Sequence, residues 1–278
     1  MRDNFKTVTV FAGIFILTLL ISSAALCEPI TWVCPKCGRT GNTDKYCGIC
    51  AYPSPAPGER ISAAIGSILK FGHYEQDDNI DNGKEPIEWI VLDYDETEGK
   101  VLLLSKYGLD AKKYNDWYEN TTWEQCALRY WLNGEFMLSA FSTEEQAAIL
   151  MTDVDNSAAQ GNNQWEIEGG NNTQDRIFLL SYAEANRYLD VTKNSNIKAR
   201  VAPTAYAIAQ GAYIARSNKT AEGMAAGWWW LRSPGFDQNS AATIRDDGSS
   251  SIGGNSVNFP RLAVRPAFWL SLKSANLK

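Results

Sequence analysis

Four cysteines, Cys34, Cys37, Cys47 and Cys50, form two Cys-x-x-Cys knuckles separated by a nine-residue spacer. Each knuckle sets two thiolates on one tight turn, and two knuckles face to face supply the four soft ligands of a tetrahedral zinc ion. Four protein thiolates leave no open coordination position, so such a zinc is structural. The competing reading is two disulfides, because an exported chain meets oxidising conditions. Bridges inside each knuckle would constrain almost nothing, whereas a metal would fold a segment with little apolar content of its own.

Elsewhere the reactive side chains are isolated. His73 is the one histidine in the chain, so any Ser-His-Asp or Cys-His mechanism must pass through it. It stands in Phe71-Gly-His-Tyr74, where a packed or hydrogen-bonded strand histidine is the plain expectation. Cys126 lies alone between Gln125 and Ala127 in a helical pattern and reads as a small buried hydrophobe. The chain contains no G-x-S-x-G, P-loop or H-E-x-x-H motif. Carboxylates are plentiful, but none stands out as a glycosidase pair. Asp77-Asp-Asn79-Ile-Asp81-Asn-Gly83 followed by Glu88 approaches a calcium loop, yet its glycine comes one position late and no flanking helices are evident. A solvated hairpin loop is the simpler reading. Asp237, Asn239, Asp246 and Asp247 are compatible with calcium, although their spacing does not call for it.

The least ordinary stretch is Trp228-Trp229-Trp230-Leu-Arg232-Ser-Pro-Gly235, followed by Arg261-Leu-Ala-Val-Arg265-Pro-Ala-Phe-Trp269. In a strand, alternation sends Trp229 to one face and its neighbours to the other. Trp229, Arg232 and Arg265 therefore read as structural, the arginines tying two strands to carboxylates or carbonyls. Between the blocks runs a polar, glycine-rich stretch from Asp237 to Asn258, expected as exposed loops on paired strands. Ligand contacts would then fall to Trp228, Trp230, Phe236, Asp237, Asn239, Arg245 and Asn258. Aromatic faces beside Asn and Asp suit sugars or peptide segments.

The elements around these residues follow from pattern. With 45% hydrophobic and 21% charged residues over 278 positions, the chain builds one large core plus a small module. Its net charge of −6 disfavours nucleic acid, and no basic stripe reverses it. Arg2 and Lys6, the apolar run Val8 to Ile21 and the small residues Ser22 to Ala25 match a secretory signal, here residues 1–27. Cleavage fits after Ala24 or Cys27. An uncleaved anchor and lipidation of Cys27 are the alternatives, so the membrane is contacted only through this segment, and the body lies outside it. The cysteine module covers 30–53, a proline-rich linker 54–60, and the main domain 61–278. Strands are expected at 66–74, 86–93, 100–105 and 176–181, with Ile87, Trp89 and Val91 inward. Helices are expected at 122–132, capped by Thr121 or Thr122, from the Ser142-Thr-Glu-Glu145 capping box, and at 183–189. Residues 153–174 read as a long surface loop.

Two resemblances add to this. Trp32 to Pro53 resembles short zinc ribbons, with Trp32 and Tyr46 at the aromatic positions; Ala51 departs from the glycine that usually follows the last cysteine and weakens the second knuckle. The succession Phe71-Gly-His-Tyr74, Pro86-Ile-Glu-Trp89, Leu128-Arg129-Tyr-Trp131-Leu-Asn133, Phe178-Leu-Leu-Ser181, Trp229-Trp-Leu-Arg-Ser-Pro-Gly235 and Val264-Arg-Pro-Ala267 resembles an uncharacterised domain of exported proteins in anaerobic Firmicutes. That family carries no established activity. Its closing blocks are similar to the C-type-lectin-like fold shared by formylglycine-generating enzymes, where two such strands flank ligand-displaying loops. The resemblance implies an α+β, lectin-like main domain; Cys126 stands without the partner that formylglycine-generating chemistry requires.

The expected function is non-catalytic recognition of a cell-surface or extracellular glycan or protein. An envelope-acting enzyme and a structural assembly protein are the alternatives. Metal analysis of the purified full chain should find about one zinc per molecule; absence of zinc together with absence of free thiols in the quartet would favour disulfides.

Overall fold

The computed structural model describes residues 64–161, 164–192 and 195–274. The expected signal segment, the cysteine quartet and the expected linker lie outside them. Within them the chain is a mixed α+β body, mostly strands with a few short helices. Among the described residues no helix is long and apolar enough to cross a membrane.

Strands β1 (Ile68–Tyr74), β2 (Glu85–Asp95) and β3 (Lys100–Ser105) form an antiparallel meander, followed by the short β4 (Asp110–Ala111). A helical stretch comprises α1 (Ala127–Trp131), a π-helical turn (Leu132–Phe136), α2 (Met137–Ala140) and α3 (Thr143–Ala148). The hairpin β5 (Thr152–Val154) and β6 (Thr173–Asp175) leads to α4 (Tyr182–Leu189) and α5 (Ala205–Ala209). Then come β7 (Ile214–Lys219), β8 (Ala225–Gly227), β9 (Trp229–Pro234), β10 (Ser240–Ile244), β11 (Ser250–Ser256), β12 (Ala263–Val264) and β13 (Ala267–Ser271). Of the two larger sheets, the first has the order β1-β2-β3-β13 and the second β11-β10-β9-β12-β4, beside the two-stranded pairs β5-β6 and β7-β8. Arg265 and Pro266 are thus a crossing between these two larger sheets, as is the segment from β3 to β4.

Alternation decides β2 as expected: Ile87, Trp89 and Val91 are all fully buried. Trp89 meets Phe268 edge-on at 4.6 Å, and Phe71, Phe136 and Phe141 complete an aromatic cluster between the first sheet and the helices. A fully packed aromatic of this kind resists truncation by roughly 3–5 kcal/mol. Gly72 makes the cluster possible. It sits at the bulge of β1 with φ +71°, and a Cβ there would lie 2.5 Å from the Phe141 ring.

Three expectations are corrected. The helix expected at 122–132 starts at Ala127, and its cap is neither Thr121 nor Thr122 but Cys126, whose sulfur accepts from Arg129 N at 3.4 Å. The strand expected at 176–181 is absent as a ladder; β6 ends at Asp175, and only Phe178 bridges to Ala267. Its neighbours' carbonyls are engaged elsewhere: Leu180 O accepts from Arg232 N, and Leu179 O from the Arg232 guanidinium. Residues 153–174 are not wholly a surface loop either, since Asn156 is buried against that same guanidinium. The capping box at Ser142 and Glu145 holds, and Ser181 with Glu184 builds a second one at α4.

Arg232 is 2% exposed and uses all five of its N–H donors. Nε donates to Asn156 Oδ1 (3.2 Å), Nη1 to Leu179 O (2.8 Å) and Glu184 Oε2, and Nη2 to Asp155 O (2.9 Å) and Glu184 Oε1 (3.0 Å). Removing the guanidinium leaves the buried Asn156 side chain and the Leu179 carbonyl without their donor and the part-exposed Glu184 without its counter-ion. Arg232→Ala should lower unfolding stability by roughly 3–5 kcal/mol in a denaturant titration; a loss below about 1 kcal/mol, the scale of an exposed pair, would show that the hub does not hold the fold.

Candidate functional site

The turn from β9 to β10 carries Phe236, Asp237, Gln238 and Asn239, and it is fastened to two other loops through one side chain. Gln238 Nε2 donates to Thr121 O (2.9 Å) and to Glu168 O (3.1 Å), while Gln238 O accepts from Thr121 N (2.9 Å). Loop 112–126, the segment around 164–170 and the β9–β10 turn are thereby gathered at one end of the second sheet. Each presents aromatic surface: Trp117 is 73% exposed, Tyr118 59%, Phe236 52% and Trp165 37%. Gly253 of β11 forms the floor between two of them, for a Cβ there would stand 3.9 Å from both the Phe236 and Trp165 rings. In the amide orientation that satisfies both its ends, Asn239 Nδ2 donates to Tyr118 Oη (3.2 Å) and to the two carboxylate oxygens of Asp237 (2.8 and 3.0 Å). Several aromatic faces held in water beside an amide and a carboxylate are costly unless a partner covers them.

The remaining expected contacts do not all join this end. Trp228 lies past the other end of β9, half-buried, with Nε1 donating to Asp246 Oδ1 at 2.7 Å and its ring edge-on to Tyr213 at 6.2 Å. Together with Phe259, Asn255 and Arg261 it lines a cleft of about 240 Å³. Arg245 is exposed after β10 and donates to Ser251 Oγ. Asn258 is half-buried after β11. Trp230 is a correction: expected as a contact, it is fully buried, donates from Nε1 to Lys112 O at 2.9 Å and packs on Tyr114 at 5.7 Å. Loop 112–126 covers the sheet face on which it stands. Alternation itself holds, since Trp229 turns to the opposite side and donates to Ala199 O.

Trp117, Tyr118 and Trp165 were not among the expected contacts. They sit in segments without periodicity, and their only signal is aromatic residues set among Asn, Asp, Glu and Gly.

The reactive groups are placed as follows. His73 is exposed on β1, not packed or hydrogen-bonded as expected, because the bulge at Gly72 turns it outward. Cys126 is fully buried, and burial pushes its thiol up to about 12. Asp110 is fully buried; burial raises its carboxyl while Tyr74 Oη (2.7 Å) and Ala111 N (2.7 Å) donate to it. Glu75, Asp77 and Glu85 bring carboxylate oxygens within 4.8 Å of one another in the β1–β2 hairpin. Glu75 there accepts from Asn79 N and Glu85 from Gln76 N, so these oxygens organise the loop's own backbone.

A family model described as a domain of unknown function, DUF6273, matches residues 98–272. The chain belongs to the DUF6273 family. No curated protein and no solved structure matches it. The DUF6273 span starts after β2 and takes in every loop of the aromatic end, Arg232 and Arg265.

The burial of Cys126 in this DUF6273 domain has a direct consequence. Only the thiolate reacts, and it is neither formed near neutral pH nor reachable in the folded chain. Peptide mapping after treatment with a maleimide at pH 7.5 should leave Cys126 unlabelled until the protein is unfolded; rapid labelling of the native protein would contradict the placement.

Proposed function

We propose that this protein is an extracytoplasmic, non-catalytic binding protein whose main domain recognises a cell-surface glycan through the loops at the Phe236 end of the second sheet. The observation that carries this reading is the convergence of Trp117, Tyr118, Trp165 and Phe236, each more than a third exposed, on loops tied together by Gln238. Sugar rings offer an apolar face and a ring of hydroxyls, and they stack on aromatic faces while bonding to neighbouring carboxylates and amides. Asp237 and Asn239 stand in the second role. The signal-like N-terminus supports export, and the four-cysteine module supports a zinc-bound contact or spacer unit. Two sheets with long loops gathered at one end support kinship with C-type-lectin-like domains; fold alone does not assign a ligand.

The test is a binding screen of the full chain against glycans and peptides of the bacterial envelope. Trp117→Ala and Tyr118→Ala should each weaken glycan capture by roughly tenfold. Both side chains are largely in water, so the melting temperature should stay within about 1 °C. Unchanged capture in the double variant would dismiss the platform, and capture that survives glycosidase treatment but not protease treatment would make the ligand a peptide.

A further inference from the structure

Arg265 differs from Arg232 in what its donors meet. It is 1% exposed, its guanidinium carbon lies 4.9 Å from the centre of the Trp229 ring, and Nε donates to Ser105 O at 2.9 Å. Nη1 is buried and has no hydrogen-bond partner among the described residues. A buried donor left unmade costs about 1–3 kcal/mol, and more when it belongs to a charged group. Burial accordingly pulls the guanidinium down to about 9, with the Glu222 carboxylate opposing the shift.

A second orphan borders the same space. Thr220 is buried, and its Oγ1 also lacks a partner. Arg265 and Thr220 both line a cavity of about 420 Å³, within the size range of small-molecule sites. Of the other cations on its wall, Lys198 stands exposed at the rim, and the two less exposed ones are already engaged. Lys106 Nζ is 2.9 Å from Glu88 Oε2, and Arg200 donates to Asp247 O, Lys219 O and Ser195 Oγ. Much of the remaining wall is apolar, from Ile90, Leu92, Tyr107, Ile197 and Met224.

We propose that this cavity binds a small amphiphilic carboxylate, its oxygens accepting from Arg265 Nη1 and Thr220 Oγ1 and its hydrocarbon part lying on the apolar wall. One unpaired guanidinium edge matches one negative charge, and charge-assisted bonds of this type are about twice as strong as neutral ones. Glu222, on the exposed turn between β7 and β8, also lines the cavity and would repel a dianion such as phosphate. This site is separate from the aromatic platform. It needs no catalytic step.

Calorimetric titration of the full chain at pH 7 with sodium hexanoate, hexanamide and inorganic phosphate tests the assignment. Hexanoate should bind saturably, with its neutral isostere hexanamide weaker by roughly tenfold or more. Thr220→Val removes one donor without altering the turn, whose bonds Thr220 N to Met224 O and Gly223 N to Thr220 O are backbone only. It should weaken hexanoate about fivefold, as loss of one hydrogen bond does. Glu222→Gln removes the rim charge and should tighten it. Equal binding of hexanamide would reduce the site to an apolar hole, and binding of phosphate in place of hexanoate would reassign it to phosphate compounds. Absence of hexanoate binding in both wild type and Glu222→Gln, or a lowered melting temperature in Glu222→Gln without binding in wild type, would make Arg265 a structural residue with Glu222 as its counter-ion.

Discussion

The five-donor engagement of Arg232 is the constraint on which the rest of the domain depends. Through it β9 holds the first turn of α4, the Asp155-Asn156 corner and the extended segment at Leu179, three pieces with no common ladder. The same stretch of β9 accepts Tyr114 Oη at the Arg232 carbonyl and donates the Ser233 hydroxyl to Gln160 O. In a low-dielectric interior such a network is rigid only because every member is satisfied. Loops that leave this hub at both sides, 112–126 and 235–240, therefore start from fixed points, and their aromatic residues are presented on a settled base.

Arg265 works under the opposite condition. It marks one of two passages between the larger sheets, the other being the step from β3 to β4; here Val264 ends a strand of one and Ala267 begins a strand of the other. Its Nε bond to Ser105 O and its place on Trp229 hold that crossing. Its outer edge is unmatched. Two arginines with the same apparent task in the amino-acid pattern thus separate into a closed frame element and one with chemical capacity left over, and only their surroundings distinguish them.

What was legible in the sequence was whatever periodicity controls. The apolar run Lys100 to Ser105, the inward set Ile87, Trp89 and Val91, the Ser142-x-x-Glu145 helix start and the opposite facing of Trp229 all follow from alternation or capping, and the fold obeys them. Periodicity failed where tertiary partners compete with it. Ile177 to Leu180 have strand composition, but Arg232 takes the carbonyls that a ladder would need. Trp230 faces the side that would be open in a bare sheet, yet Tyr114 and Lys112 close over it. Half of the proposed binding surface was visible as Phe236, Asp237 and Asn239. Trp117, Tyr118 and Trp165 join it only because Gln238 brings distant loops together, a contact that no local pattern encodes.

A satisfied polar frame below, with recognition confined to the loops it anchors, is the division of labour we propose. Hydrogen–deuterium exchange of the full chain, with and without a bound envelope glycan, tests it most directly, since exchange reports local opening segment by segment. The prediction is new protection in 112–126, 164–170 and 235–240, with β2, β3 and β9 slow and unchanged in both states. Protection appearing instead around the Trp228 cleft, or at none of these loops while the glycan is bound, would contradict it.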